Sequence, residues 1–217
     1  MAKVNLLDTL PKTVRPVVER SQVSAEDRLL SWKLDKEYFD GTRQQGLGGY
    51  YYDGRWKSVV KRFKEYYELN SESKVLDVGC AKGFLIHDFL EEIPGITVAG
   101  IDISEYALSN ATDKAKPHIC MANAKELPFP DKYFDLVISI NSLHNILELE
   151  EVKNALREIE RVSRRHKYIS IGAYSNGEEK NKLDKWAVVA TTYLHCDEWE
   201  KMFREVGYTG DYWWFKP

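Results

Sequence analysis

From residue 74 onward, short runs rich in Val, Ile, Leu and Phe alternate with longer stretches whose apolar positions recur every three or four residues. The runs are Lys74–Val78, Ile96–Ile103, His118–Met121, Phe134–Ile140 and Tyr168–Ala173. Runs of this length with β-branched residues and no polar face predict strands covered on both sides. Between them, Phe84–Ile93 is closed by Pro94 and Gly95, Ser104 caps a stretch reaching about Ala115, and Glu150–Ser163 carries Val152, Leu156, Ile159 and Val162 at helical spacing. Strands alternating with helices predict βαβ units, right-handed crossovers and an α/β fold with a mostly parallel sheet.

The two ends are less regular. Ser24 with Asp27 three residues on opens a helix predicted over Ala25–Phe39, with Leu29, Leu30, Trp32 and Leu34 as its buried side. Residues 1–48 also hold Pro11 and Pro16, and Gly41, Gly46, Gly48 and Gly49 read as a loop or lid ahead of Tyr50. A second helix runs over Arg55–Leu69 through Trp56, Val59, Val60, Phe63 and Tyr67. After residue 173 the pattern predicts a strand at Trp186–Leu194, a helix at Asp197–Val206 and a last strand at Tyr208–Phe215, expected to lie antiparallel in the sheet. The chain divides into an N-terminal segment and lid, 1–54, and one compact unit, 55–217.

Composition narrows the function classes. The 217 residues carry 31 Lys and Arg against 34 Asp and Glu, so no global basic field gathers phosphates, and nucleic acid is not an expected partner. No apolar run reaches the length of a membrane span, and the first residues lack a signal-peptide core. Cys80, Cys120 and Cys196 form neither a CxxC pair nor a disulfide framework, and no metal is expected. These readings predict a cytoplasmic monomer or homodimer. Aromatics reach 12% and cluster at Tyr50, Tyr51, Tyr52 and Trp56, read as a pocket wall, and at Tyr208–Phe215, read as core.

The segment with the most chemistry is Val75-Leu76-Asp77-Val78-Gly79-Cys80-Ala81-Lys82-Gly83. A strand delivers a carboxylate at its carboxyl end, and a glycine-bounded turn then opens a helix, the place where an open α/β sheet holds its cofactor. Gly79 and Gly83 permit close backbone approach, and the helix start offers free N–H groups. The turn is GxxxG rather than GxGxxG, and Asp77 would repel a diphosphate while attracting an ammonium group. A nucleoside bearing an amino acid fits better than a dinucleotide. Cys80 reads as a small packed residue and Lys82 as solvent-facing; Lys61, Arg62 and Lys64 read as a solvated helix face.

This segment resembles motif I of the class I S-adenosylmethionine-dependent methyltransferases, and the resemblance extends over roughly residues 50–173. It implies a Rossmann-like fold and S-adenosylmethionine as cofactor. Asp102, in Gly100-Ile101-Asp102-Ile103-Ser104, resembles the family's ribose-binding acid, a role its two acceptor oxygens suit, with Ile103 against the adenine. Met121-Ala122-Asn123-Ala124-Lys125-Glu126-Leu127-Pro128-Phe129 resembles the adenine-contacting segment, with Asn123 where the family has an acid, beside Ala124. Phe134–Asn141 resembles motif IV, placing Ile140 and Asn141 at the cofactor and His144 beyond them.

The acceptor side is expected from residues 24–56, 141–148 and 174–195. Tyrosines on a glycine hinge suit closure over a small polar ligand, which makes Tyr50, Tyr51 and Tyr52 candidate substrate residues, with Arg55 for an acidic group. His144 and His195 are the candidate bases. The lid resembles that of a bacterial subgroup associated with surface-polysaccharide and sugar-nucleotide pathways, which implies a sugar hydroxyl as acceptor. A protein or peptide acceptor and a non-catalytic cofactor-binding subunit are the alternatives, with a nicotinamide dehydrogenase behind them.

Overall fold

The computed structural model describes residues 1–10 and 23–216; Pro11 and Pro16 lie outside them. The elements are α1 (Ala25–Trp32), α2 (Lys36–Asp40), α3 (Lys57–Tyr66), β1 (Lys74–Val78), α4 (Phe84–Glu92), β2 (Thr97–Asp102), α5 (Glu105–Ser109), β3 (Ile119–Met121), β4 (Phe134–Ile140), α6 (Leu149–Val162), β5 (Ser163–Tyr174), α7 (Gly177–Trp186), β6 (Leu194–His195), α8 (Cys196–Val206) and β7 (Asp211–Phe215). Among the described residues the strands form one 7-stranded sheet in the order β3-β2-β1-β4-β5, with β7 and then β6 along the free edge of β5. It is a Rossmann-like α/β sheet with helices on both faces.

Alternate residues of each strand feed opposite layers, which explains why the strands read as continuous apolar runs. Leu76, Val137, Ile169 and Ile171 pack with Val152, Leu156 and Ile159 of α6 and Trp199 and Phe203 of α8. Val75, Leu136, Ile138 and Tyr168 face the other way, onto Val59, Val60 and Phe63 of α3 and Leu85 and Phe89 of α4. The C-terminal aromatics Tyr208, Tyr212 and Trp214 surround Phe203 as core, as the composition suggested. No helix among the described residues is long and apolar enough to cross a membrane.

Several local expectations need correction. The last strand is parallel to β5, with Tyr168 beside Asp211 and Gly172 beside Phe215, not antiparallel. The cause is α8: an 11-residue helix carries the chain back to the starting end of β5, as a crossover does and a hairpin does not. Residues 2–4 pair with the outer edge of β7, where Tyr212 N donates to Ala2 O and Val4 N to Tyr212 O, both at 3.0 Å. Residues 187–193 form no strand; only Leu194 and His195 pair with β5.

The helix predicted over Ala25–Phe39 is two helices. Leu34 takes a left-handed φ of 52°, and Asp35 caps α2 by accepting from Lys36 N. Ser24 does cap α1, but Leu29 and Trp32 stand 68% and 58% exposed. Ser31 is the residue turned inward, donating to Asp27 O and Gln45 O, so α1 docks through polar contacts rather than an apolar stripe. The helix capped by Ser104 ends at Ser109, because Asn110 closes it and a polar turn follows.

Candidate active site

In the sheet the chain leaves β1 toward β2 on one side and toward β4 on the other, so strand order reverses between β1 and β4. Loops diverging at such a point leave a crevice at the carboxyl ends of the strands. A cavity of about 500 Å³ opens there.

The turn after β1 is fixed by its neighbours. Gly79 N and Cys80 N both donate to Ile101 O, at 2.8 and 2.9 Å. Ala81, with a left-handed φ of 48°, is held by its N–H donating 2.8 Å to Asp102 Oδ2. Gly79 has φ 84°, and a Cβ on it would fall 2.1 Å from Ser142 Oγ, so only glycine fits. Gly83, at φ 66°, caps α4 and would drive a Cβ to 2.6 Å from Ala115 Cβ; it shapes the turn but does not line the cavity.

Two carboxylates dominate the electrostatics. Asp77 is 5% exposed, lines the cavity and has no hydrogen-bond partner among the described residues. Burial, and then the like charge of Asp102, push its pKa to about 7. Burial also raises Asp102, against the backbone N–H groups of Ser104 and Ala81 that stabilise its charge. An orphaned, buried carboxylate suits an ammonium group and disfavours a diphosphate. Asp102 keeps lone pairs for hydroxyls, and Ile103, 55% exposed, offers apolar surface at the cavity wall. Asn123 Oδ1 accepts from Lys125 N at 3.0 Å, leaving a second lone pair. This donor and acceptor set fits S-adenosylmethionine.

Asp77, Gly79, Cys80, Ala81, Asp102, Ile103, Asn123, Ala124, Ile140, Asn141, His144 and Tyr50 all line the cavity. Gly83, Tyr51, Tyr52, Arg55 and His195 do not, each for an identifiable reason. Tyr51 is 73% exposed. Tyr52 donates to Asp88 and its ring packs against His87, both residues of α4. Arg55 is held in a fork by the Asp53 carboxylate. His195 is a helix cap: Nδ1 accepts from Asp197 N, Nε2 faces Ser175 O at 3.2 Å, and Glu198 closes the capping box.

His144 is buried, and the loss of water around the ring lowers its pKa to about 4. Its Nδ1 accepts from Gly172 N at 2.9 Å. Cys80 is buried beside Asp77, which together keep its thiol protonated, so it packs rather than reacts.

Lys82 is not solvent-facing. It is 6% exposed, with Nζ 2.6 Å from Asp40 Oδ2 and 2.9 Å from Tyr50 O. Burial alone would raise the Asp40 carboxyl, but Lys82, Tyr106 and the Tyr50 N–H hold it below its ordinary value. The cofactor turn thus anchors the N-terminal segment, which brings Leu34, Tyr38, Phe39, Arg43 and Leu47 to the cavity. Trp186, Val188, Val189 and Ala190 close another side, held by Thr191 N and Thr192 N donating to His144 O. The acidic Asp40 and the basic Lys82 were the sequence signal for this contact, but nothing local pairs residues so far apart in the chain.

These features define a class: a Rossmann-like fold with a cofactor cavity at its switch point, built around an acid ending each of its first two strands. Residues 76–171 match the family model described as a methyltransferase domain. The chain is 30% identical over 146 residues to a tRNA (carboxymethyluridine(34)-5-O)-methyltransferase of Arabidopsis thaliana, covering 67% of this chain and 34% of that protein. It is 29% identical over 156 residues to a 27-O-demethylrifamycin SV methyltransferase of Amycolatopsis mediterranei, covering 64% and 55%. The chain thus spans between a third and somewhat over half of the length of these relatives. A SAM-dependent methyltransferase structure from Archaeoglobus fulgidus shares the fold with a TM-score of 0.55 at 21% identity, over 79% of this chain and 72% of that one. Residues 76–171 thus match a methyltransferase domain, set in a fold shared with an S-adenosylmethionine-dependent methyltransferase.

Proposed function

We propose that the protein transfers a methyl group from S-adenosylmethionine to an oxygen of a small acceptor with substantial apolar surface. The observation that carries this reading is the lining of the cavity away from the cofactor acids. Leu34, Leu47, Trp56, Ile146, Trp186, Val188 and Val189 supply hydrocarbon from separate segments around the cavity. A concave site lined by side chains from many segments suits a small molecule better than an extended peptide or polynucleotide. A sugar hydroxyl, expected from the lid sequence, is served less well: a glycan carries oxygen on nearly every carbon, and this wall is mostly apolar.

S-adenosylmethionine supplies an electrophilic methyl carbon on a sulfonium. Asp77 would pair with its ammonium group, Asp102 with the ribose hydroxyls, and Ile103 and Asn123 with the adenine. The N-terminal segment, tied down by Lys82, would exclude water and hold the acceptor against the donor, the main contribution a protein makes to a displacement between two bound molecules. The test is formation of S-adenosylhomocysteine by the full chain with a panel of apolar alcohols, phenols and carboxylic acids, sugar nucleotides, peptides and tRNA. Turnover confined to the first group is expected; turnover on tRNA or peptide alone would overturn the reading.

A further inference from the structure

His144 stands in the cavity wall with both of its polar ends accounted for differently. Nδ1 accepts from the backbone N–H of Gly172 at 2.9 Å, which occupies the lone pair of that nitrogen. A neutral imidazole carries one proton, so it must sit on Nε2. Nε2 has no hydrogen-bond partner among the described residues, and the ring lines the cavity although His144 is only 3% exposed. The ring cannot easily turn. A Cβ on Gly172 would lie 3.3 Å from Nδ1, so the strand fits closely against it. Trp199 Nε1 fixes the Gly172 carbonyl at 3.0 Å, and the His144 carbonyl accepts from Thr191 N and Thr192 N.

A nitrogen that already bears its proton is a donor and not a base. We propose, resting on the methyl-transfer reading above, that His144 Nε2–H grips an oxygen of the acceptor, and that the acceptor reacts as an oxyanion with no proton to lose. The shared chemistry is an anionic oxygen on an apolar body, either a carboxylate or an ionised acidic hydroxyl. Methyl transfer to such an oxygen gives a neutral ester or ether and neutral S-adenosylhomocysteine, and releases no proton. The other carboxylates of the wall do not supply a base. Asp77 and Asp102 belong to the cofactor side, and Glu151 is paired with Lys125 at 2.6 Å. A bound ammonium acceptor would meet the positive edge of the ring and be disfavoured.

The test uses the full chain labelled with 15N-histidine, with the His144 resonances assigned by their loss in both His144→Asn and His144→Gln. Saturation with S-adenosylhomocysteine comes first; failure to bind it defeats the methyl-transfer reading and leaves the ring assignment to be read separately. The expected His144 spectrum has a pyridine-type Nδ1 and a pyrrole-type Nε2, unchanged from about pH 8 to about pH 5.5 because the buried ring stays neutral. Benzoate and 4-nitrophenolate then distinguish the two oxyanion sources, with benzylamine as the control. At least one oxyanion should move the Nε2–H proton downfield and bind about tenfold more weakly to His144→Asn, which keeps an acceptor for Gly172 N–H but loses the donor. His144→Gln, which restores an N–H near the Nε2 position, should recover part of that loss. A protonated Nδ1, a ring titrating near its ordinary pKa, or a cavity that takes benzylamine as well as the oxyanions would overturn the proposal. So would an Nε2–H unmoved by saturating amounts of both oxyanions.

Discussion

The cofactor edge and the acceptor wall share one cavity but are built by different physics. The cofactor edge is made of strand ends and one tight turn, where backbone groups and buried carboxylates are placed by the sheet itself. The acceptor wall comes from the segment around α2, the turn after β4 and the segment after α7, which are irregular and reach the cavity only through tertiary contacts. The first region stores electrostatic cost, in Asp77 and Asp102, that a cationic, hydroxylated ligand relieves. The second offers apolar surface with a few polar side chains set into it, His144 and Arg43 among them. A fold can therefore hold its cofactor side fixed while the acceptor side varies, as the different acceptors named for the two relatives illustrate.

The largest expected effect is on the cofactor side alone. Asp102→Ala removes the proposed ribose acceptor and frees Ala81 N–H, so S-adenosylhomocysteine affinity should fall by at least about 100-fold by calorimetry, while thermal stability changes little. Unchanged affinity would break the distinction between the two regions.

Asp77→Asn should cost nearly as much affinity and yet stabilise the ligand-free protein. A carboxyl raised from 3.8 to about 7 on folding penalises the folded state above about pH 7, and the penalty fades as the group protonates toward its unfolded value. The variant should therefore gain about 1–3 kcal/mol at about pH 8 and nothing near pH 4, as read from urea midpoints. A loss of stability at high pH would show that Asp77 is held by a structural partner instead.

Lys82→Met probes the joint between the regions. It leaves Asp40 without its cation, at a cost of about 1–3 kcal/mol because Asp40 is partly exposed. Its sharper signature is faster amide exchange in residues 38–50, with exchange in β1 and β4 unchanged. The smallest effect belongs to His195→Ser, which swaps one cap for another: stability within about 0.5 kcal/mol of the parent and unaltered cofactor binding.

The two regions also differ in how far the sequence discloses them. β1, α4 and β4 follow from local pattern because each is a short element whose burial is dictated by its own apolar residues. Asp77 and the turn after it stood out because a strand end and two glycines mark them, whereas Asp102 was singled out by the family resemblance; both carboxylates line the cavity. Lys82 was misread because a lysine beside a glycine turn looks solvated until Asp40, distant in the chain, is folded onto it. Leu29 and Trp32 have helical spacing and remain exposed, so periodicity alone does not say whether a partner surface exists. His195 and Arg55 have the right chemistry, but a cap and a local ion pair claim them, and neither contact is visible without the backbone. The direction of β7 depends on which end of the sheet α8 returns to, a property of topology rather than of any residue in Asp211–Phe215.

The most direct test of the central claim is a calorimetric titration with S-adenosylhomocysteine, repeated at several pH values in buffers of different ionisation enthalpy. If the cofactor's ammonium group seats on Asp77, binding must ionise that carboxyl. Below about pH 7 the complex should then release close to one proton, and affinity should weaken toward tenfold per pH unit; above about pH 8 both effects should vanish. Asp77→Asn should abolish the proton release. Tight binding whose heat is independent of buffer throughout, in parent and variant alike, would contradict the account.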